Sequence, residues 1–136
     1  MTASIHPTNI VVGFSPTPHS EAALRRAIDE AGRRDARLVV VNGSPGDRYA
    51  DPKFASTEDL AAVTELLQEA GVDHEVRQPV RGRDGAAEVL AACEEVNAAL
   101  IVIGLRRRSP VGKLFLGSTA QTILLNAPCD VLAVKA

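Results

Sequence analysis

The sequence predicts an α/β fold, a doubly wound parallel sheet with helices on both faces. Three observations lead there. Four short runs, Ile10-Val11-Val12, Leu38-Val39-Val40-Val41, Leu100-Ile101-Val102-Ile103 and Val131-Leu132-Ala133-Val134, are almost continuously apolar and mostly β-branched, the mark of strands covered on both faces. Between them lie stretches whose apolar residues recur at helical spacing. The two kinds alternate as βαβαβαβαβ, which requires right-handed crossovers and a parallel sheet. Ligands of such sheets sit beyond the carboxyl ends of the strands, where strand order reverses.

Each element carries its own signal. After the first strand, Thr17 is suited to cap a helix, with Pro18 at its first position and Glu21 in its first turn. Leu24, Ala27, Ile28 and Ala31 then form an apolar stripe. The second strand leads into Gly43–Ala55, long for a βα connection. Leu60, Val63, Leu67 and Ala70 make the second stripe, closed by Gly71. His74-Glu75-Val76-Arg77-Gln78 alternates polar and apolar residues and is followed by Pro79, as befits an edge strand. Ala86, Val89, Leu90 and Cys93 form the third stripe behind Asp84, and Ala120, Ile123 and Leu124 form the fourth before Pro128.

With 136 residues, the chain has the size of one domain, expected to span residues 1–136, with core enough to dispense with disulfides or metals. Fifteen basic and seventeen acidic residues give a net charge of −2, so nothing global favours nucleic acid or an anionic membrane. No apolar run approaches the roughly 18 residues that span a bilayer, and Met1–Pro7 lacks the basic and apolar regions of a signal peptide. A cytoplasmic protein is expected. Cys93 and Cys129 are distant in sequence, without a C-x-x-C pair or a histidine at ligand spacing, and read as packed thiols. His6, His19 and His74 fall in no ligand or nucleophile pattern.

Function is expected where Ala99-Leu100-Ile101-Val102-Ile103 runs into Gly104 and on, through a loop rich in Gly and Arg, to Gly117-Ser118-Thr119 at a helix start. Small residues there bare backbone N–H groups at the positive end of a helix dipole, a setting for phosphate. The loop is not a P-loop, since Gly112-Lys113 is followed by Leu114 and Arg107 stands where that motif's first Gly belongs. No G-x-G-x-x-G follows the first strand. Gly13-Phe14-Ser15-Pro16-Thr17 departs from a nucleophile elbow at its last position. A phosphoacceptor receiver domain needs acidic residues where Ser15 and Val80 stand.

Ile10-Val11-Val12-Gly13 with Ser20-Glu21-Ala22-Ala23-Leu24, Leu100–Gly104, Gly117-Ser118-Thr119-Ala120-Gln121 and Ala127-Pro128-Cys129-Asp130-Val131-Leu132-Ala133-Val134 together resemble universal stress proteins of the UspA type over essentially the whole chain. The resemblance implies a Rossmann-like sheet of the adenine nucleotide alpha hydrolase kind, with five parallel strands in the order 3-2-1-4-5. It also implies a homodimer formed through the last strand, here Val131–Val134. One branch of that family binds ATP through Gly, two residues, Gly, nine residues, Gly, then Ser or Thr. Gly104, Gly117 and Ser118 match this pattern, whereas Arg107 occupies the second Gly position. Ser15 stands where the family commonly has a nucleoside-binding Asp.

The nucleotide site implied for this chain is a crevice between strands 1 and 4. An adenine would lie against Gly13, Ser15, Asn42-Gly43 and Ile103, with phosphates on Gly104, Arg107, Gly117, Ser118 and Thr119. Arg106, Arg107, Arg108 and Lys113 concentrate positive charge beside the helix start, and guanidinium groups bind phosphate bidentately. The same arginines also read as a solvated patch. The competing function is a dimeric stress-response interaction protein that does not bind ATP, in keeping with Ser15 and Arg107. Slow ATP hydrolysis is a third class, for which no water-positioning residue is identified. A magnesium requirement is not specified.

Overall fold

The computed structural model describes residues 8–43, 56–79, 84–107 and 114–135. Its elements are β1 (Asn9–Gly13), α1 (Pro18–Arg34), β2 (Arg37–Val41), α2 (Thr57–Ala70), β3 (His74–Arg77), α3 (Gly85–Val96), β4 (Leu100–Arg107), β5 (Leu114–Phe115), α4 (Ser118–Asn126) and β6 (Asp130–Lys135). The connection from Ser44 to Ala55, and Val80, Arg108 and Lys113, lie outside the described residues.

Five strands are parallel, in the order β3-β2-β1-β4-β6. Numbering those five alone gives the expected 3-2-1-4-5. Side-chain alternation along the buried strands then divides the core. Ile10, Val12, Leu38, Val40, Leu100 and Val102 meet α1 and α2 on one face, while Val11, Val39, Val41, Ile101 and Ile103 meet α3 and α4 on the other.

Helix ends follow the sequence signals. The Thr17 hydroxyl accepts from the Ser20 amide, with Pro18 opening α1. The Asp84 carboxylate accepts from the Ala87 amide at 2.8 Å; Ser56 and Asp59, not among the expected caps, form a reciprocal capping box on α2. Gly71 closes α2 with φ +71°, a conformation that glycine adopts without strain.

Three expectations need correction. The fourth strand does not stop at Ile103. It continues to Arg107, because β6 pairs as far as Leu105↔Lys135 and the apolar Leu114-Phe115 folds back antiparallel as β5. Leu124 is exposed rather than part of the fourth stripe, since the short α4 meets the core through Ala120 and Ile123. Ala70 likewise lies on the exposed side of α2, whose buried contacts are Val63 and Leu67. Cys93 and Cys129 do pack in the α3/α4 layer, and are also neighbours, with sulfurs 3.4 Å apart.

Candidate functional site

The chain proceeds from β1 outward to β2 and β3 and then crosses to β4 on the far side of β1. The loops after β1 and β4 therefore diverge, opening a crevice at their carboxyl ends. It encloses about 290 Å³. Gly13 and Ser15 form one side, Gly43 lies beyond them after β2, and Ile103 and Gly104 come from β4. Gly117, Ser118 and Thr119 close the site from the first turn of α4. Eight of the nine candidate site residues thus share one crevice.

Arg107, the ninth, has its backbone at the end of β4, opposite Leu114 of β5. The crevice also takes in His19 and Ser20 from α1, Asp84, Gly85 and Val89 from α3, and Ile123 from α4. No motif marks these residues in the sequence, but the first turns of α1 and α3 lie at the same carboxyl end of the sheet as the loops after β1, β2 and β4, where ligands of such sheets sit.

Two candidate glycines have packing reasons as well as a place in the crevice. A Cβ on Gly43 would stand 2.8 Å from the Gly85 α-carbon, so the bare backbone lets the loop after β2 approach the start of α3. A Cβ on Gly104 would overlap the His19 carbonyl, which brings the first turn of α1 against β4.

Polar groups at the β1 end are organised as a hydroxyl cluster. Ser15 Oγ lies 2.9 Å from Ser20 Oγ and 3.2 Å from Thr17 Oγ1. His19 Nε2 is 3.3 Å from Thr17 Oγ1, so the imidazole adjoins the same hydroxyl cluster through Thr17. Asn42, fully buried, donates through Nδ2 to the Phe14 carbonyl at 2.8 Å and accepts from Gln78 Nε2 at 2.9 Å. Its amide ties the loop after β1 to the edge of the sheet and thereby positions Ser15.

At the opposite end the chemistry is that of a helix start. Thr17, Ser56 and Asp84 each give their helix a side-chain cap, whereas α4 begins at Gly117 with none. The first N–H groups of a helix have no intrahelical acceptor. Those of α4 adjoin the crevice, and Ser118 and Thr119 add hydroxyls.

Compared with models of known protein families, residues 7–135 match the universal stress protein family. The chain belongs to that family. A universal stress protein of Mycolicibacterium smegmatis is 50% identical over 126 residues, covering 93% of this chain and 96% of the relative. Among solved structures, a universal stress protein of Archaeoglobus fulgidus superposes with a TM-score of 0.80 at 31% identity, covering 96% of this chain and all of the other. A second structure from that organism, in complex with dAMP, gives a TM-score of 0.78 at 28% identity, covering 96% of this chain and 100% of that one. Among the described residues, no helix is long and apolar enough to cross a membrane, and no group of three or more His, Cys, Asp and Glu is arranged to hold a metal ion.

Proposed function

We propose that this chain is a cytoplasmic universal-stress-type regulatory protein that binds an adenine nucleotide, ATP or a relative of it, in the crevice between β1 and β4. The observation that carries this reading is the uncapped start of α4. Its first N–H groups, with the Ser118 and Thr119 hydroxyls, offer donors to an anion, whereas each of the other three helices spends one such amide on its own side-chain cap. The base lies against Gly13, Ser15, Gly43 and Ile103, and the phosphates on Gly104, Gly117, Ser118 and Thr119, with Arg107 as a further contact. The dAMP complex of the 28% identical Archaeoglobus protein supports the ligand class.

Two copies join through β6. Among the described strands β6 pairs only with β4, which leaves a row of unsatisfied backbone groups along its outer edge. A second β6 across a two-fold axis satisfies them.

Calorimetric titration of the purified protein with ATP, ADP and AMP, with and without magnesium, tests the nucleotide assignment. Binding of at least one of them with a Kd on the order of micromolar to millimolar is expected. Absence of heat and of thermal shift at millimolar ligand overturns it in favour of a dimeric interaction protein that does not use ATP. Chromatography of any nucleotide released by acid from the purified protein identifies the base and the number of phosphates.

A further inference from the structure

Cys93 projects from α3 at the spacing that also buries Ala86 and Val89, and is itself buried. Cys129 follows Pro128 in the turn from α4 to β6 and is only partly buried. The fold brings these residues, 36 apart in sequence, to a sulfur separation of 3.4 Å. A disulfide requires about 2.05 Å, so the sulfurs need to close by about 1.4 Å.

We infer that Cys93 and Cys129 form a reversible oxidation site, in which a hydroperoxide converts the thiol pair into an intrachain disulfide. The two sulfurs differ in the way such chemistry needs. Burial, with the Cys129 thiol alongside, pushes the Cys93 thiol up to about 12, which keeps it protonated and unreactive toward solvent oxidants. Cys129 has the access.

The Cys129 thiolate attacks one peroxide oxygen. The S–O bond forms, the O–O bond breaks, and the departing hydroxide takes up a proton to become water. Sulfur has lost two electrons and stands as the sulfenic acid. Cys93 sulfur then attacks Cys129 sulfur; the S–S bond forms, the S–O bond breaks, and hydroxide leaves with the Cys93 proton as a second water. The balance is two thiols and one hydrogen peroxide to one disulfide and two waters. Cys93 stands 3.4 Å from that sulfur, so the condensation is intramolecular.

The closed loop contains β4, β5 and α4, hence Ile103, Gly104 and Gly117 to Thr119 of the crevice. Oxidation therefore fastens the base of the segment that supplies that wall. The approach of the two sulfurs is the same whatever the crevice binds.

The test treats the reduced, purified full chain with a few equivalents of hydrogen peroxide. Expected are a mass decrease of two hydrogens per chain, joint loss of both titratable thiols, and full recovery with dithiothreitol. The oxidised chain should melt about 10 °C higher, as closure of a loop of this length predicts. In Cys93→Ser, dimedone should trap a sulfenic acid on Cys129, and in Cys129→Ser the remaining thiol should resist peroxide while the protein stays folded. Stepwise addition of oxygen to wild type without the disulfide, disulfides only between chains, or thiols untouched until unfolding would each overturn the assignment. The wild-type masses decide the question even if Cys93→Ser fails to fold.

Discussion

The α-carbon of Gly104 faces the carbonyl oxygen of His19 with no room between them for a methyl group. The obstacle is backbone, so relief requires α1 or β4 to move. Gly104→Ala is expected to destabilise the protein by about 1–3 kcal/mol, the range for overpacking, and to weaken any ligand of the crevice. Gly32 in α1 is the opposite case, because a Cβ there meets nothing. Gly32→Ala should stabilise by about 0.5–1 kcal/mol through helix propensity. Urea unfolding of both variants measures the contrast, and equal effects would refute the packing account.

Glu75 on the edge strand β3 links two strands, accepting from Arg77 of β3 and Arg37 of β2. The Arg77 hydrogen bond, then that of Arg37 and the charge of both, outweigh burial and hold its carboxyl below the ordinary 4.5. A folded value below the unfolded one stabilises at neutral pH. That contribution declines as pH falls below about 4.5 and is gone once pH has passed the folded value. The group is partly exposed, so the expected gap between wild type and Glu75→Gln at pH 7 is at most about 1 kcal/mol. It should shrink toward zero at pH 3, as read by denaturant unfolding at the two pH values.

The parallel sheet was legible because its signals are periodic. Runs such as Val39-Val40-Val41 could be satisfied only by layers on both faces, and caps at Thr17 and Asp84 fixed where the helices begin. From the alternation alone the carboxyl end followed, and with it the crevice loops. Long-range approach left no such trace. Nothing local to Cys93 or Cys129 announces that their sulfurs meet, and the contact between Gly104 and the His19 carbonyl depends on how α1 crosses β4. Leu124 fits a helical stripe, yet a nine-residue helix buries only its nearest face.

Assembly can be tested at β6. Leu132, paired with Val102 of β4, packs against the α1 layer, and Leu125 at 83% exposure stands out in the helix just before the strand. Light scattering at tens of micromolar is expected to report twice the chain mass. Leu132→Pro removes an N–H from the strand and should give a monomer or aggregate. A clean wild-type monomer would rule out this interface for the free protein.

Arg107 offers the sharpest division between ligand mechanisms, because it stands where the ATP-binding branch of the family has glycine. A charge-assisted hydrogen bond to phosphate contributes roughly 1.5–3 kcal/mol, so Arg107→Ala is expected to weaken a phosphate-bearing nucleotide by about ten- to a hundredfold. Arg107→Gly restores the family pattern and separates side-chain from backbone effects. If the guanidinium binds phosphate, glycine should weaken binding about as much as alanine does, and wild-type affinity should fall as salt rises. Should Arg107→Gly instead create or strengthen ATP binding in the same titration, the native arginine blocks the site, and this chain belongs with the members that do not use ATP.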